Sequence, residues 1–336
     1  MFIKFMLSVV FLSSLFTTFS ADDKFIPSNN KYLAVEYILE ETGEEVDKKF
    51  FKFTKDVENI GFWVNDAHHN VNKVYKNLLG STSLGQLSFS SMINDNVAIP
   101  LFNLDPRLGG FTPFNLVIYR KLDDNKTVIT HILPEAALDI LQISNKTVRE
   151  KFIKMFKPLD DAIEKTFKST KRYTKTDGFA KKSMMNFEIE FEKPEDIDDF
   201  FDEFQETFER AFEQKGYIIA GFYNMKYSLN SEEDVLEGFD QYVVWSLCHI
   251  PFSYTIFDGK NPSPQAAVFA PCSIYAYIKA DENKIVIGMP TLNAWAAALN
   301  ITDEEKLAKI NQLDIEIPLI LQSLGAKQTQ NINPLN

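Results

Sequence analysis

Two cysteines and the histidine beside one of them are the residues of this chain whose types and spacing suggest chemistry. Cys248 ends an apolar segment, His249 follows it, and Cys272 begins the next apolar segment. If these segments are neighbouring antiparallel strands, a disulfide between the two cysteines is geometrically reasonable. Two alternatives stay open: a pair of inert buried thiols, or a redox or metal site with His249 as a third ligand.

Two adjacent histidines form a second group with metal-ligand chemistry. His68 and His69 could take part in a zinc, copper or nickel site. Neighbouring residues of a strand point to opposite faces, so solvated side chains are the alternative. We expect His131, in a predicted strand, to pack at a sheet edge rather than to perform acid-base chemistry.

Sequence motifs of the common enzyme classes are missing. The chain contains no Gly-x-Ser-x-Gly nucleophile motif. Gly109 and Gly110 precede a predicted strand rather than a helix, so they lack the helix N-terminus that binds phosphate. We therefore predict no catalytic residue and no cofactor. Enzymatic activity stays uncertain, with the sequence favouring its absence.

The charge balance restricts the classes of partner. The 336 residues include 35 Lys and Arg against 47 Asp and Glu, giving a net charge of -12. Nucleic-acid affinity depends on clustered basic residues, so this composition argues against a DNA or RNA partner. The remaining candidates are an unknown small molecule or an exported protein.

The first twenty residues have the pattern of a secretory signal peptide. Lys4 precedes an apolar run, and small residues precede Ala21. The run is short for a membrane-spanning helix, and no later segment is long and apolar enough to span a bilayer. We expect cleavage, a periplasmic or secreted protein with the bacterial periplasm favoured, and no stable membrane insertion afterwards.

The chain repeats itself at a constant spacing. Residues 113–129 align without a gap to residues 271–287, so that Pro113 matches Pro271 and Tyr119 matches Tyr277. Each block predicts a β-hairpin followed by helices. Phenylalanines recur every fourth residue in a predicted helix between residues 195 and 213, which indicates one buried face.

The repeat and the composition shifts divide the chain into five segments. A basic stretch separates the two repeats and is interpreted as a solvated linker. The end of the chain is rich in Gln and Asn and is predicted to be disordered. The segments are a signal peptide (1–20), a first α+β repeat (21–168), a basic linker (169–185), a second α+β repeat (186–325) and a tail (326–336).

Short motifs in the second repeat resemble those of the domain-of-unknown-function 302 family. They are Cys248-His-Ile-Pro251 and Ala270-Pro-Cys-Ser-Ile-Tyr275. The first repeat has Ser90 and Phe114 at the two cysteine positions. The resemblance implies compact α+β domains, each with an antiparallel sheet, and dimers of single-domain members. Two copies in one chain would form an intrachain pseudo-dimer, and the family name implies no activity.

These observations support two functional hypotheses. The first is an exported, non-enzymatic binding or sensor protein whose two sheets form a groove for a small molecule or a protein. The second is a thiol-redox or metal-handling protein using Cys248, His249 and Cys272. A purely architectural role is a further alternative. The candidate groove residues are bulky aromatics for which core packing is the alternative: Trp245, Phe257, Phe269, Tyr275 and Tyr277.

Overall fold

The computed structural model describes residues 30–226 and 236–329. The predicted signal peptide lies outside these residues. Among the helices described, none is long and apolar enough to cross a membrane.

The first half of the chain contains six strands with five helices between them. Its strands are β1 (Tyr32–Leu39), β2 (Trp63–His68), β3 (Leu84–Ile93), β4 (Phe114–Lys121), β5 (Thr127–Ile132) and β6 (Ser169–Lys175). Its helices are α1 (Glu44–Asp56), α2 (Val71–Leu79), α3 (Asp95–Phe102), α4 (Pro134–Ile140) and α5 (Lys146–Thr166). A 3₁₀ turn (Val57–Ile60) extends α1. Another 3₁₀ segment (Pro106–Gly110) precedes β4, and we call it the first short helix.

The second half repeats this order of elements. Its strands are β7 (Met184–Glu190), β8 (Ile218–Asn224), β9 (Phe239–Cys248), β10 (Cys272–Lys279), β11 (Lys284–Pro290) and β12 (Lys327–Thr329). Its helices are α6 (Ile197–Glu213), α7 (Ile250–Phe257), α8 (Leu292–Ala298) and α9 (Glu304–Ser323), and the second short helix (Pro264–Phe269) precedes β10. Helix α2 has no counterpart in the part of this half that the structure describes.

Each half forms one six-stranded antiparallel sheet. The strand order is β2-β3-β4-β5-β1-β6 in the first sheet and β8-β9-β10-β11-β7-β12 in the second. These two orders are equivalent element by element. The predicted α+β class with two similar halves is therefore confirmed.

Helices cover one face of each sheet, as the apolar patterns predict. In α6, Phe208 and Phe212 are buried, and Phe208 stacks on Trp245 of the second sheet at 4.1 Å between ring centroids. In the first half, Phe156 of α5 contacts Phe114 of β4 at 4.4 Å. Stripes of large aromatic side chains thus hold the helices to the sheets through apolar burial.

Glycines end the long helices that follow the first strand of each half. Gly61 and Gly216 have φ angles of 83° and 84°, which place them in the left-handed region. This region costs glycine little because it has no Cβ. The turn lets the chain leave the helix layer and enter the next strand, β2 or β8.

The two halves pack against each other through their short helices. The first short helix lies on the second sheet, where the buried Tyr242 Oη donates a hydrogen bond to the Pro106 carbonyl oxygen. The second short helix lies on β4 and β5 of the first sheet. Because each half covers the sheet face that the other half's helices leave bare, the arrangement is an intrachain pseudo-dimer.

Buried hydrogen bonds between other elements of the two halves reinforce this packing. Tyr75 Oη donates to Ser253 Oγ at 2.9 Å, and Tyr223 Oη donates to Asp95 Oδ1 at 2.8 Å. All of these residues are buried. Buried polar groups without partners are costly, so these pairs fix how the halves meet.

The prediction of a solvated linker and a disordered tail is wrong for the residues that join the sheets as edge strands. Ser169–Lys175 forms β6 and pairs with β1, although its side chains are mostly exposed. Lys327–Thr329 forms β12 and pairs with β7, whereas residues 330–336 of the predicted tail lie outside the described residues. Both are edge strands whose hydrogen-bonding comes from the neighbouring backbone, so an apolar pattern is not required.

The expectation for His131 is also wrong. This residue lies on β5, an interior strand, and is fully buried. Its ring nitrogens lie 2.8 Å from the Ile132 carbonyl oxygen and 2.9 Å from Asp160 Oδ1, which also accepts a hydrogen bond from Tyr37. His131 therefore links the sheet to α5.

The close approach of the first short helix to the second sheet depends on Gly109. A Cβ there would lie 2.7 Å from Tyr275 Cβ and would also collide with Tyr242 Oη. We expect Gly109→Ala to lower the free energy of unfolding by about 1–3 kcal/mol, the usual cost of overpacking. Urea denaturation measures the effect.

A matched control is Gly259→Ala, where the nearest atom, the Tyr254 carbonyl oxygen, is 3.4 Å from the added Cβ. We expect this substitution to change stability by less than about 0.5 kcal/mol. Equal stability of the Gly109→Ala variant and the unchanged protein would contradict the packing described above.

Candidate functional site

An open cavity of about 370 Å³ lies on the face of the first sheet that its helices leave bare. We call it the groove. Strands β1, β4, β5 and β6 form its floor, and the second short helix of the other half contributes Gln265 to one side. Its polar lining includes Glu36, Tyr119, Lys121, Lys126, Arg172 and Gln265.

A buried carboxylate lies at the centre of this polar lining. Glu36 is 3% exposed. Arg172 Nε donates to Glu36 Oε2 at 2.7 Å, and Tyr119 Oη donates to Oε1 at 3.2 Å. A buried carboxylate needs such partners because loss of hydration would otherwise destabilise it. Glu36 thus fixes both the arginine and the tyrosine in the groove.

The protonation states of these partners follow from their surroundings. Burial, together with the negative charge of Glu36, raises the pKa of Tyr119 well above its ordinary value. The hydrogen bond to Glu36 raises the pKa of Arg172. At neutral pH the groove therefore presents a neutral phenol and a charged guanidinium.

Strand alternation explains why these residues share a face. Glu36 pairs with Thr130 on one side and with Arg172 on the other, so the three form one cross-strand row. The adjacent Tyr37 points the other way, to Asp160 of α5. Since successive strand residues face opposite sides, the polar row and the helix contacts are separated by the sheet itself.

The corresponding face of the second sheet carries different side chains. Tyr275 occupies the position of Val117, and its ring lies over Gly288, which occupies the position of Thr130. A Cβ on Gly288 would lie 2.9 Å from Tyr275 Cε2 and closer still to the phenol oxygen. Tyr275 is fully buried. The pair Tyr275 and Gly288 therefore packs beneath the first short helix, and Val117 and Thr130 are likewise buried at the equivalent positions of the first sheet.

The aromatic residues predicted to line a groove lie in the core instead. Trp245 lies beneath α6 on the helix-covered face, and Phe269 stacks on Trp295 at 5.0 Å. Phe257 is 1% exposed, and Tyr277 stacks on Tyr242 at 5.7 Å. All five, Tyr275 included, are buried, so the core-packing alternative describes them. None of them lines the groove.

The predicted disulfide is not formed, and the strand register explains why. Strands β9 and β10 are antiparallel neighbours, as expected, but Cys272 lies opposite Leu247. Cys248, one residue further, therefore points to the other face of the sheet. Both cysteines are free thiols.

Neither thiol has the surroundings of a reactive cysteine. Burial raises the pKa of Cys248 to about 11 and raises that of Cys272 further. A thiolate, the reactive form, is therefore disfavoured at neutral pH. The residues themselves keep some exposed surface, but the environment of each sulfur is largely buried.

The predicted metal ligands each have their own packing or hydrogen-bond partner. His249 caps α7, with its Nδ1 accepting a hydrogen bond from the Phe252 backbone N–H at 3.2 Å. His69 stacks on Phe51 at 4.1 Å, and His68 contacts Phe89 at 5.1 Å. Burial lowers the pKa of all three histidines. Within residues 30–226 and 236–329, no group of three or more His, Cys, Asp or Glu side chains is placed to hold a metal ion.

The sheet registers also correct one sequence alignment. Trp63 pairs with Ile93 where Ile218 pairs with Cys248, so Ile93 rather than Ser90 occupies the Cys248 position. Phe114 does occupy the Cys272 position, opposite Met92. The constant spacing of the hairpins does not extend upstream to β3 and β9.

Glu36 and Arg172, the central pair of the groove, are not among the residues predicted from the sequence. Arg172 lies within the predicted linker, and nothing in the sequence joins it to Glu36 on a distant strand. The repeat contains one signal for this site. Tyr277 was a candidate groove residue, and Tyr119, which lines the groove, matches it in the alignment. The alignment could therefore have indicated this face of the sheet, though not which half carries the groove.

Comparisons with known proteins find similarity among solved structures only. No protein-family model matches the chain, and no curated protein matches it. A crystal structure of the uncharacterized conserved protein DUF302 from Bacillus stearothermophilus is 16% identical, with a TM-score of 0.35. The match covers 40% of this chain and 97% of that chain. At this score the likeness carries no argument about activity.

The thiol environments predict slow alkylation of the folded protein. With a pKa of about 11, Cys248 is about 0.1% thiolate at pH 8, against about a quarter for an ordinary cysteine. We expect iodoacetamide to modify both cysteines slowly at pH 8 in the native state. In denaturant without reductant both should react rapidly, which intact-mass measurement detects. Recovery of a Cys248–Cys272 linked peptide after digestion without reductant would contradict the free thiols.

Proposed function

We propose that this protein is an exported, non-enzymatic binding module that holds a small molecule in the groove of its first half. The observation that carries the proposal is the buried, hydrogen-bonded Glu36 that lines an open cavity on the first sheet. The equivalent position of the second sheet holds a neutral amide, Asn186. Concave sites with a few fixed polar groups are typical of small-molecule binding.

The state of the groove side chains favours binding over catalysis. Both Glu36 oxygens already accept hydrogen bonds, and Tyr119 has a raised pKa. General acid-base catalysis works best with groups whose pKa lies near the working pH. Fixed donors such as Arg172 and Tyr119 instead suit the orientation of a polar ligand.

Export and an origin by tandem duplication complete the proposal. The apolar run before Ala21 supports export. The matching element order and strand order of the two halves support a duplicated domain like those of the domain-of-unknown-function 302 family. Duplication would also account for a second half that keeps the fold while different side chains, such as Asn186 and Glu188, hold the groove positions.

A bulky residue at Ile38, which lines the groove, tests the binding site. Ile38 lies opposite Val128, and Glu188 holds the same position opposite Val286 in the second half. We expect fragments of a small-molecule library to bind the unchanged protein, and Ile38→Trp to weaken that binding at least about tenfold because the indole fills the cavity. Ligand-observed NMR measures the binding.

The control is Glu188→Trp, which places the same indole outside the groove and should leave fragment binding unchanged. Circular dichroism and the thermal midpoint establish that both variants are folded. Fragment binding that survives Ile38→Trp in the folded variant, or a library without any bound fragment, would refute the proposed function.

A further inference from the structure

We infer that the groove selects small organic anions with an apolar body. This inference rests on the proposed function and adds the chemical class of the ligand. It begins from the charges that line the groove: three cations, Lys121, Lys126 and Arg172, and two carboxylates, Glu36 and Asp124. A local excess of positive charge is notable in a chain whose net charge is -12.

The two carboxylates differ in what they offer a ligand. Glu36 is buried and is held by Arg172 and Tyr119, so its charge is already compensated. Asp124 lies in the exposed turn between β4 and β5, at the rim. A ligand inside the groove therefore meets the lysines as the cations without a carboxylate partner among the described residues.

Comparison with the second half shows that the lysine at the position of Lys126 is paired with carboxylates there. Lys284, at the position of Lys126, lies 3.2 Å from Glu188 and 3.3 Å from Glu282. In the first half Ile38 replaces Glu188. The substitution removes one anion and adds an apolar surface at the same place. A bound carboxylate would restore the charge pairing that the protein supplies in the second half.

The position of Lys121 strengthens the assignment. Its Nζ donates to the Pro262 carbonyl oxygen at 3.2 Å, a residue of the other half. This contact leaves two of the three ammonium hydrogens for a ligand and holds the charge beside the groove. Lys121, the last residue of β4, and Lys126, the residue before β5, thus both line the groove.

Apolar surface beside the charges defines the rest of the ligand. Ile38 and Val128 are cross-strand partners on the floor of the groove. Gln265 supplies a neutral amide from the second short helix, where the first short helix carries Arg107 paired with Asp105. A ligand with a carboxylate near the lysines and a flat or aliphatic body on Ile38 and Val128 fits this lining.

Three probes of matched shape and different charge test the inference: benzoate, benzamide and benzamidine. NMR titration of the full chain should show benzoate binding most tightly, and added sodium chloride should weaken it because exposed charges are screened. We expect Lys126→Gln to weaken benzoate binding about threefold to fivefold, as loss of one exposed ion pair would. Benzamide should bind equally to both proteins.

Lys284→Gln is the matched control, since it removes the equivalent lysine outside the groove and should leave benzoate binding unchanged. Tighter binding of benzamide or benzamidine, an unchanged benzoate affinity in Lys126→Gln, or no binding by any probe would overturn the anion inference. The proposed function fails separately, when library fragments bind no better to the unchanged protein than to Ile38→Trp.

Discussion

The mutual covering of the two bare sheet faces is the constraint on which the other features depend. Each half leaves one face of its sheet without helices, and an uncovered apolar face would be unstable in water. The short helix of the other half covers part of it. On the second sheet this requires a glycine, Gly109, against Tyr275, and it gives the buried Tyr242 hydroxyl a backbone acceptor. The halves therefore depend on each other for their cores.

Because each short helix covers only part of a face, the rest of the face is free to differ between the halves. In the first half Glu36, opposite Thr130, lines the groove with Ile38. In the second half Asn186 and Glu188 hold these two positions, opposite Gly288 and Val286. One backbone plan thus carries different polar side chains at equivalent positions of the two sheets.

The sequence predicted those parts of the molecule that depend on local pattern. The repeated hairpins and the phenylalanine stripe of α6 gave the fold class and the two halves. The prediction of a linker failed at Ser169–Lys175, because this segment becomes a strand through backbone pairing with β1. Its polar side chains carry no alternating strand pattern. The disulfide failed by one residue of register, which reverses the face of Cys248. Glu36 and Arg172 meet only after the sheet forms, so the groove could not be found from sequence.

Methyl NMR of the folded chain tests most directly whether only the first half binds. Val128 lines the groove opposite Ile38, and Val286 occupies the equivalent position of the second sheet, opposite Glu188. Titration with a mixture of small carboxylates should shift the Val128 and Ile38 methyl signals and leave the Val286 signals in place. Equal shifts at Val128 and Val286, or shifts at Val286 alone, would contradict a single open binding face.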